Sequence, residues 1–144
     1  MVIEKMLESD FKGVVKVLIE SLNNEGEDWN HDTSLTHIKE NYDPEYCFVA
    51  KEENIIVGFL IGGESTMFNM NGLFLDLICV LPEYQGKGIG RKLYEEFKTL
   101  AKESGKEGFI LLANPNWKSF DWYKKMGYEK TGWVELYKYF NNDD

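Results

Sequence analysis

Between an apolar run, Leu73 to Leu81, and a long amphipathic segment, Ile89 to Ser104, the chain reads Gln85-Gly86-Lys87-Gly88-Ile89-Gly90. Three glycines at every second position leave a loop almost bare of side chains, so a ligand can approach the backbone closely. The start of the following helix presents unpaired N–H groups and the positive end of the helix dipole. That combination binds an anion, most often a phosphate or pyrophosphate. The spacing excludes two familiar phosphate loops. The dinucleotide pattern Gly-x-Gly-x-x-Gly fails because Arg91 stands at its last position, and the P-loop fails because no Gly-Lys-Ser/Thr follows at the required distance. A ligand-free turn would account for one of the glycines more readily than for three.

Two other features could carry chemistry. Asp76 sits in an otherwise apolar strand, sharing a face with Phe74, Ile78 and Val80, and an acid there is costly unless used or paired. Aromatic and acidic residues also cluster in Glu25, Glu27, Asp28, Trp29 and Asp32, and again in Trp133, Glu135 and Tyr137. Aromatics with carboxylates suit a cation, and equally an ordinary polar surface. Cys47 and Cys79 fall in expected strands and read as buried thiols, with neither disulfide scaffold nor metal spacing. His31 and His37 are too few to suggest a zinc site.

The elements that must position these residues follow from periodicity. Val2 to Leu7 reads as a strand. Ser9 is placed to cap a helix to about Leu22, with Phe11, Val14, Val15, Leu18, Ile19 and Leu22 on one face. Thr33 to Asn41 is a short second helix ended by Asp43-Pro44. Tyr46 to Lys51 and Ile55 to Gly62 form a hairpin around Glu52-Glu53-Asn54. Asn71-Gly72 is a tight-turn signal that brings Leu73 to Val80 back on the preceding strand. The helix after the glycine loop buries Ile89, Leu93, Phe97, Leu100 and Ala101 and ends at Gly105. Phe109 to Ala113 is a strand and Asn116 to Met126 a helix closed by Gly127. Tyr128 to Trp133 and Val134 to Phe140 are expected as the last two strands.

Composition sets the frame. A chain of 144 residues, 43% hydrophobic and 28% charged, reads as one globular domain over residues 1–144. No apolar run approaches a membrane span, and the first residues lack a signal-peptide core, so a cytoplasmic protein is expected. The net charge of −9 argues against nucleic acid as a partner and is compatible with a cationic substrate, or with no more than solubility.

The loop Gln-x-x-Gly-x-Gly, following the strand Leu77-Ile78-Cys79-Val80-Leu81-Pro82-Glu83-Tyr84, resembles the acyl-CoA loop of the GNAT N-acetyltransferase superfamily. The element order matches that family over essentially the whole chain. So does a second motif, Asn116-Trp117-Lys118-Ser119-Phe120-Asp121-Trp122-Tyr123-Lys124-Lys125-Met126-Gly127-Tyr128, similar to the family's Asn-x-x-Ala-x-x-Phe-Tyr-x-x-x-Gly-Phe. Ser119, Trp122 and Tyr128 are mild departures from it. The resemblance implies an α/β fold: a mostly antiparallel sheet with one parallel, splayed pair, flanked by about four helices. It implies acetyl-CoA as co-substrate and no metal. Backbone N–H groups of Gln85, Gly86, Lys87, Gly88, Ile89, Gly90 and Arg91 would hold the pyrophosphate, with Lys87 and Arg91 adding charge. Ile78, Cys79 and Val80 would pair with the pantetheine arm beside a strand bulge, and an N–H near Val80 would face the thioester carbonyl. Asn116 would bond the pantetheine amide, and Tyr123 would protonate the departing thiolate.

The acceptor amine must lose a proton. At a pKa of about 10.4 only about one molecule in 10³ is neutral at pH 7, a cost of roughly 4–5 kcal/mol. The resemblance implies that Asp76 orients or deprotonates the amine, directly or through a water, or else forms a structural hydrogen bond at a strand bend. Other members carry the acid at the position of Phe74, which cannot ionise. The expected function is therefore an acetyl-CoA-dependent N-acetyltransferase acting in a ternary complex on a small cationic amine. The rivals are a protein or peptide amine as acceptor, or a non-catalytic acyl-CoA-binding module. A homodimer is among the expectations for such a protein.

Overall fold

The computed structural model describes all 144 residues, which form two compact units, Met1–Leu112 and Ala113–Asp144. In the first unit the order is β1 (Val2–Lys5), α1 (Phe11–Asn24), α2 (His31–Asn41), β2 (Phe48–Glu52), β3 (Ile55–Ser65), β4 (Gly72–Val80), α3 (Ile89–Glu103) and β5 (Gly108–Leu111). The five strands form one sheet in sequence order. The pairs from β1 to β4 are antiparallel, and β4 and β5 run parallel. This is the mixed α/β sheet expected of the sequence.

Two bulges shape the sheet. Ala50 pairs with Gly58 but Lys51 with Ile56, so Val57 is an extra residue in β3. Ile61 pairs with Leu77 but Gly62 with Leu75, so Asp76 is an extra residue in β4. The first bulge switches the face of β3. Ile56 meets α1, where a Cβ at Gly13 would stand 2.8 Å from Ile56 Cδ1, whereas Gly58 and Gly62 meet α3. Gly62 has a strict reason: its Cβ would lie 2.3 Å from Phe97 Cε1. Phe97 and Leu93 of α3, and Val14, Val17 and Leu18 of α1, are fully buried against the sheet. The expected stripe on α3 holds, with Tyr94 buried in place of Leu100.

Three expectations are corrected. Ser9 does not cap α1; the Asp10 carboxylate accepts the Leu7 N–H at 2.9 Å and faces Lys51 Nζ at 3.3 Å. The β3–β4 reversal falls in a short 3₁₀ turn, Met67–Asn69, where Phe68 and Asn69 take left-handed φ of 59° and 58°. Gly72 already belongs to β4, where a Cβ would crowd the Gly108 carbonyl at 2.9 Å. Cys47 lies just ahead of β2 rather than within a strand.

The second unit holds α4 (Lys118–Lys125), closed by Gly127 at φ +98°. The two strands expected over residues 128–140 do not form. Gly132 breaks the run with φ +87°, and Val134, Leu136, Tyr137, Tyr139 and Phe140 point to solvent. Alternating β-favouring residues supply the capacity to pair, but a ladder also needs a partner strand, which alternation does not supply.

Candidate active site

The glycine loop is built from the end of β4. The parallel ladder to β5 stops at Leu75, so from Asp76 to Val80 the strand is paired with β3 alone and offers one open edge. Leu81 then donates its N–H to the carbonyl of the bulged Val57 at 2.8 Å, a turn over Pro82–Tyr84 follows, and the Gln85 side chain donates to the Val80 carbonyl at 3.0 Å. These bonds clamp the loop to the strand end. Gly86 and Gly88 take φ of +78° and +81°, a region that only glycine enters without strain. Nothing lies within 4 Å of a Cβ placed on either, so the space before them is open. Lys92 is the first amide of α3 bonded back, to the Gly88 carbonyl at 3.1 Å; the amides ahead of it face outward as a helix N-terminus does. The Lys87 ammonium rests over the Tyr84 ring at 5.2 Å, and Arg91 leans toward Glu95 at 3.7 Å.

Asp76, at the β4 bulge, has a partner. His37 Nε2 of α2 lies 2.6 Å from its Oδ2. Both side chains are mostly buried. The bond to Asp76 holds the imidazole pKa above its ordinary value against the opposing effect of burial, and the charges of Asp76 and Glu40 add to the rise. Trp29 meets the imidazole edge to face at 5.5 Å. Its own backbone is fixed at both ends by the Asn23 side chain, at 2.7 and 2.9 Å, and its indole N–H donates to Glu27 at 3.1 Å. A surface cavity of about 340 Å³ opens here, lined by Trp29, Asp32, Thr33, Thr36, His37 and Glu40. Of the expected acceptor residues, Trp29 and Asp32 therefore line a cavity. Glu27 supports Trp29, while Glu25 and Asp28 are exposed outside it. No group of three His, Cys, Asp or Glu is arranged to hold a metal ion.

In the second unit Asn116 is exposed, with its N–H donating to Asn114 Oδ1 at 2.9 Å just before α4. Tyr123 is buried, its ring edge-on to Trp122 at 5.1 Å and to Tyr128 at 5.5 Å. The spacing of the second motif is thus the spacing of one aromatic cluster around α4. Trp133, Glu135 and Tyr137 lie exposed in the strand-free segment.

A family model described as "Acetyltransferase (GNAT) domain" matches residues 43–130, more than half of the chain. The chain belongs to the GNAT acetyltransferase family. Solved structures with the same fold include an aminoglycoside antibiotic 6'-N-acetyltransferase from Acinetobacter haemolyticus (18% identity, 99% of this chain and 100% of that chain, TM-score 0.75). A ribosomal-protein-alanine N-acetyltransferase from Brucella melitensis biovar Abortus 2308 matches at 16% identity over 99% of this chain and 100% of that chain, with TM-score 0.73. A GNAT family acetyltransferase from Brucella melitensis in complex with acetyl-CoA matches at 20% identity over 90% and 82%, with TM-score 0.71. At such identities the likeness is one of fold. A search of curated proteins found no match.

Two cysteines bear on how such a protein could work. Burial pushes the Cys79 thiol up to about 12, against the opposing hydrogen bond to the Ser21 side chain. Burial also raises the Cys47 thiol. Neither is a nucleophile near neutral pH. His37 is the site residue that the sequence does not single out: its type and spacing raise only a metal-ligand reading, whereas its partner is an acid on a distant strand.

Proposed function

We propose that the protein transfers the acetyl group of acetyl-CoA to a small cationic amine by direct attack in a ternary complex. One observation carries this reading: the open edge of β4 leads straight into a loop whose two left-handed glycines and outward helix amides leave a bare anion site. Amides from Gln85 to Arg91 hold the pyrophosphate, and the edge Ile78-Cys79-Val80 takes the pantetheine arm as an added strand, one of its amides facing the thioester oxygen. Asn116 bonds a pantetheine amide, and the Tyr123 hydroxyl delivers a proton to the departing sulfur. The raised Cys79 thiol supports direct attack over an acyl-enzyme. The acidic, Trp29-walled cavity supports a cation as acceptor.

The test is release of free CoA from acetyl-CoA against polyamines, aminoglycosides, amino acids and peptides, with thermal stabilisation by acetyl-CoA read on the same sample. Stabilisation with turnover of one amine class is expected. Stabilisation without any turnover would move the reading to a binding module, and absence of both would remove the anion site.

A further inference from the structure

The His37–Asp76 pair has a use that its hydrogen bond alone does not explain. Neutral imidazole has one N–H donor and one acceptor nitrogen. Asp76 takes the Nε2–H, which leaves the lone pair on Nδ1, and no protein atom bonds to Nδ1. The ring lines the cavity beside Trp29. The charged groups around it are Asp76 from β4 and Glu40 and Asp32 from α2; no Lys or Arg lines the cavity, and α1 contributes no charge that acts on the ring. Asp76 is also the bulged residue at which β4 leaves β5. Two residues further along is Ile78, about 7 Å of strand, where the open edge proposed for the thioester arm begins. An acid, an imidazole, a cation-suited cavity and an open strand edge therefore meet at one bulge.

We infer that the cavity receives the acceptor as its ammonium and that His37, held by Asp76, takes its proton. This rests on the transferase reading above. The bonds balance as follows. Nδ1 accepts one proton from R–NH₃⁺, leaving imidazolium beside the Asp76 carboxylate. The freed amine forms the C–N bond, the C–S bond breaks, and the second nitrogen proton ends on the CoA sulfur. Imidazolium then returns its proton to water. His37 is the proton acceptor, and Asp76 is a positioning residue that fixes the tautomer and stabilises the imidazolium.

The experiment is the pH profile of kcat/KM for the amine that the wild-type protein acetylates, alongside NMR titration of the two histidine rings, assigned with His31→Asn. If the ammonium binds to neutral His37, the profile is a bell. Its acid limb falls at the measured His37 pKa and its alkaline limb at the pKa of the amine. His37→Gln should lower kcat/KM by about 10²–10⁴-fold near neutral pH and move the acid limb up to the pKa of the amine, because only free amine then reacts. Asp76→Asn should lower the NMR titration of His37 and carry the acid limb down with it. Unchanged acetyl-CoA affinity in each variant shows that it folds, and His37→Asn repeats the test with a smaller side chain. A His37→Gln profile with the wild-type limb, and a rate within about threefold of wild type, would overturn the inference and leave the transferase reading standing. No turnover of any amine by wild type that binds acetyl-CoA would overturn both.

Discussion

Gly88 offers a separation of strain from binding. Its φ is +81° and nothing lies within 4 Å of an added Cβ, so a side chain can leave the backbone there without meeting a neighbour. The cost of Gly88→Glu is the left-handed conformation alone, about 1–2 kcal/mol, or roughly 3–8 °C in Tm for a chain of this size. A carboxylate at a helix N-terminus even recovers a few tenths of that. The same carboxylate would stand where a pyrophosphate belongs. At about 5 Å and an effective dielectric near 20, each pair of unit charges repels by roughly 3 kcal/mol, so acetyl-CoA affinity should fall by at least about a hundredfold. Gly105→Glu is the control. It has a φ of +74° and open space too, but lies just past the C-terminal end of the same helix, α3, about 25 Å away along its axis. Calorimetric titration with acetyl-CoA and thermal melting, run on both variants, read the two quantities apart. Both should melt lower and only Gly88→Glu should lose binding. Equal and undiminished affinity in the two would refute the anion site.

Three further outcomes follow from the same geometry. Tyr123→Phe keeps the ring in its cluster with Trp122 and Tyr128, so acetyl-CoA affinity should hold while kcat drops by at least about tenfold; equal turnover would remove the hydroxyl from the chemistry. Gly62→Ala drives a Cβ to 2.3 Å from Phe97, which is fully buried and stacked on Phe109 at 4.7 Å, so urea unfolding should show a loss of about 1–3 kcal/mol, partly restored by Phe97→Leu. Because His37 is held above its ordinary pKa in the fold, its pairing stabilises fully below about pH 6.5, the unfolded value, and loses that contribution as pH rises through the folded pKa. The Tm gap between wild type and His37→Gln should therefore be widest near pH 6 and shrink toward pH 9, and a constant gap would contradict the pairing.

Much of the scaffold was legible because it follows from short-range rules. The stripes on α1 and α3, the glycine loop and the stops at Gly105 and Gly127 need only helix periodicity and the freedom of glycine, and they recur in the structure, although on α1 Val17 and Ser21 are buried and Ile19 is only partly so. The misses need information from elsewhere in the chain. Asn71-Gly72 has the chemistry of a tight turn, yet Phe68 and Asn69 supply the left-handed residues, and Asn71 instead exchanges hydrogen bonds with Glu107. Residues 128–140 alternate as strands do, yet pairing depends on an edge that the alternation cannot specify.

The bulges at Val57 and Asp76 have no residue signature either, and both border the candidate site. One of them was half-visible. An acid in an apolar strand demands a partner, and that demand could be read at Asp76 from the sequence alone. Its answer lies on α2, where Ser34 and Ile38 face the interior. His37, one place before Ile38 and three after Ser34, borders that buried stripe rather than the solvated side. Neither fact suffices separately, since a histidine at the margin of a buried face is common and an acid in a strand can find a backbone donor. Together they form a joint signal: one unsatisfied acid, and one imidazole at the edge of a helix that must pack on the sheet. The two lie 2.6 Å apart at the bulge, and the extra residue in β4 is also the first beyond the ladder to β5. The acid seated against the histidine is thus the first residue of the β4 stretch left unpaired by β5, the stretch proposed above for the acetyl-CoA arm.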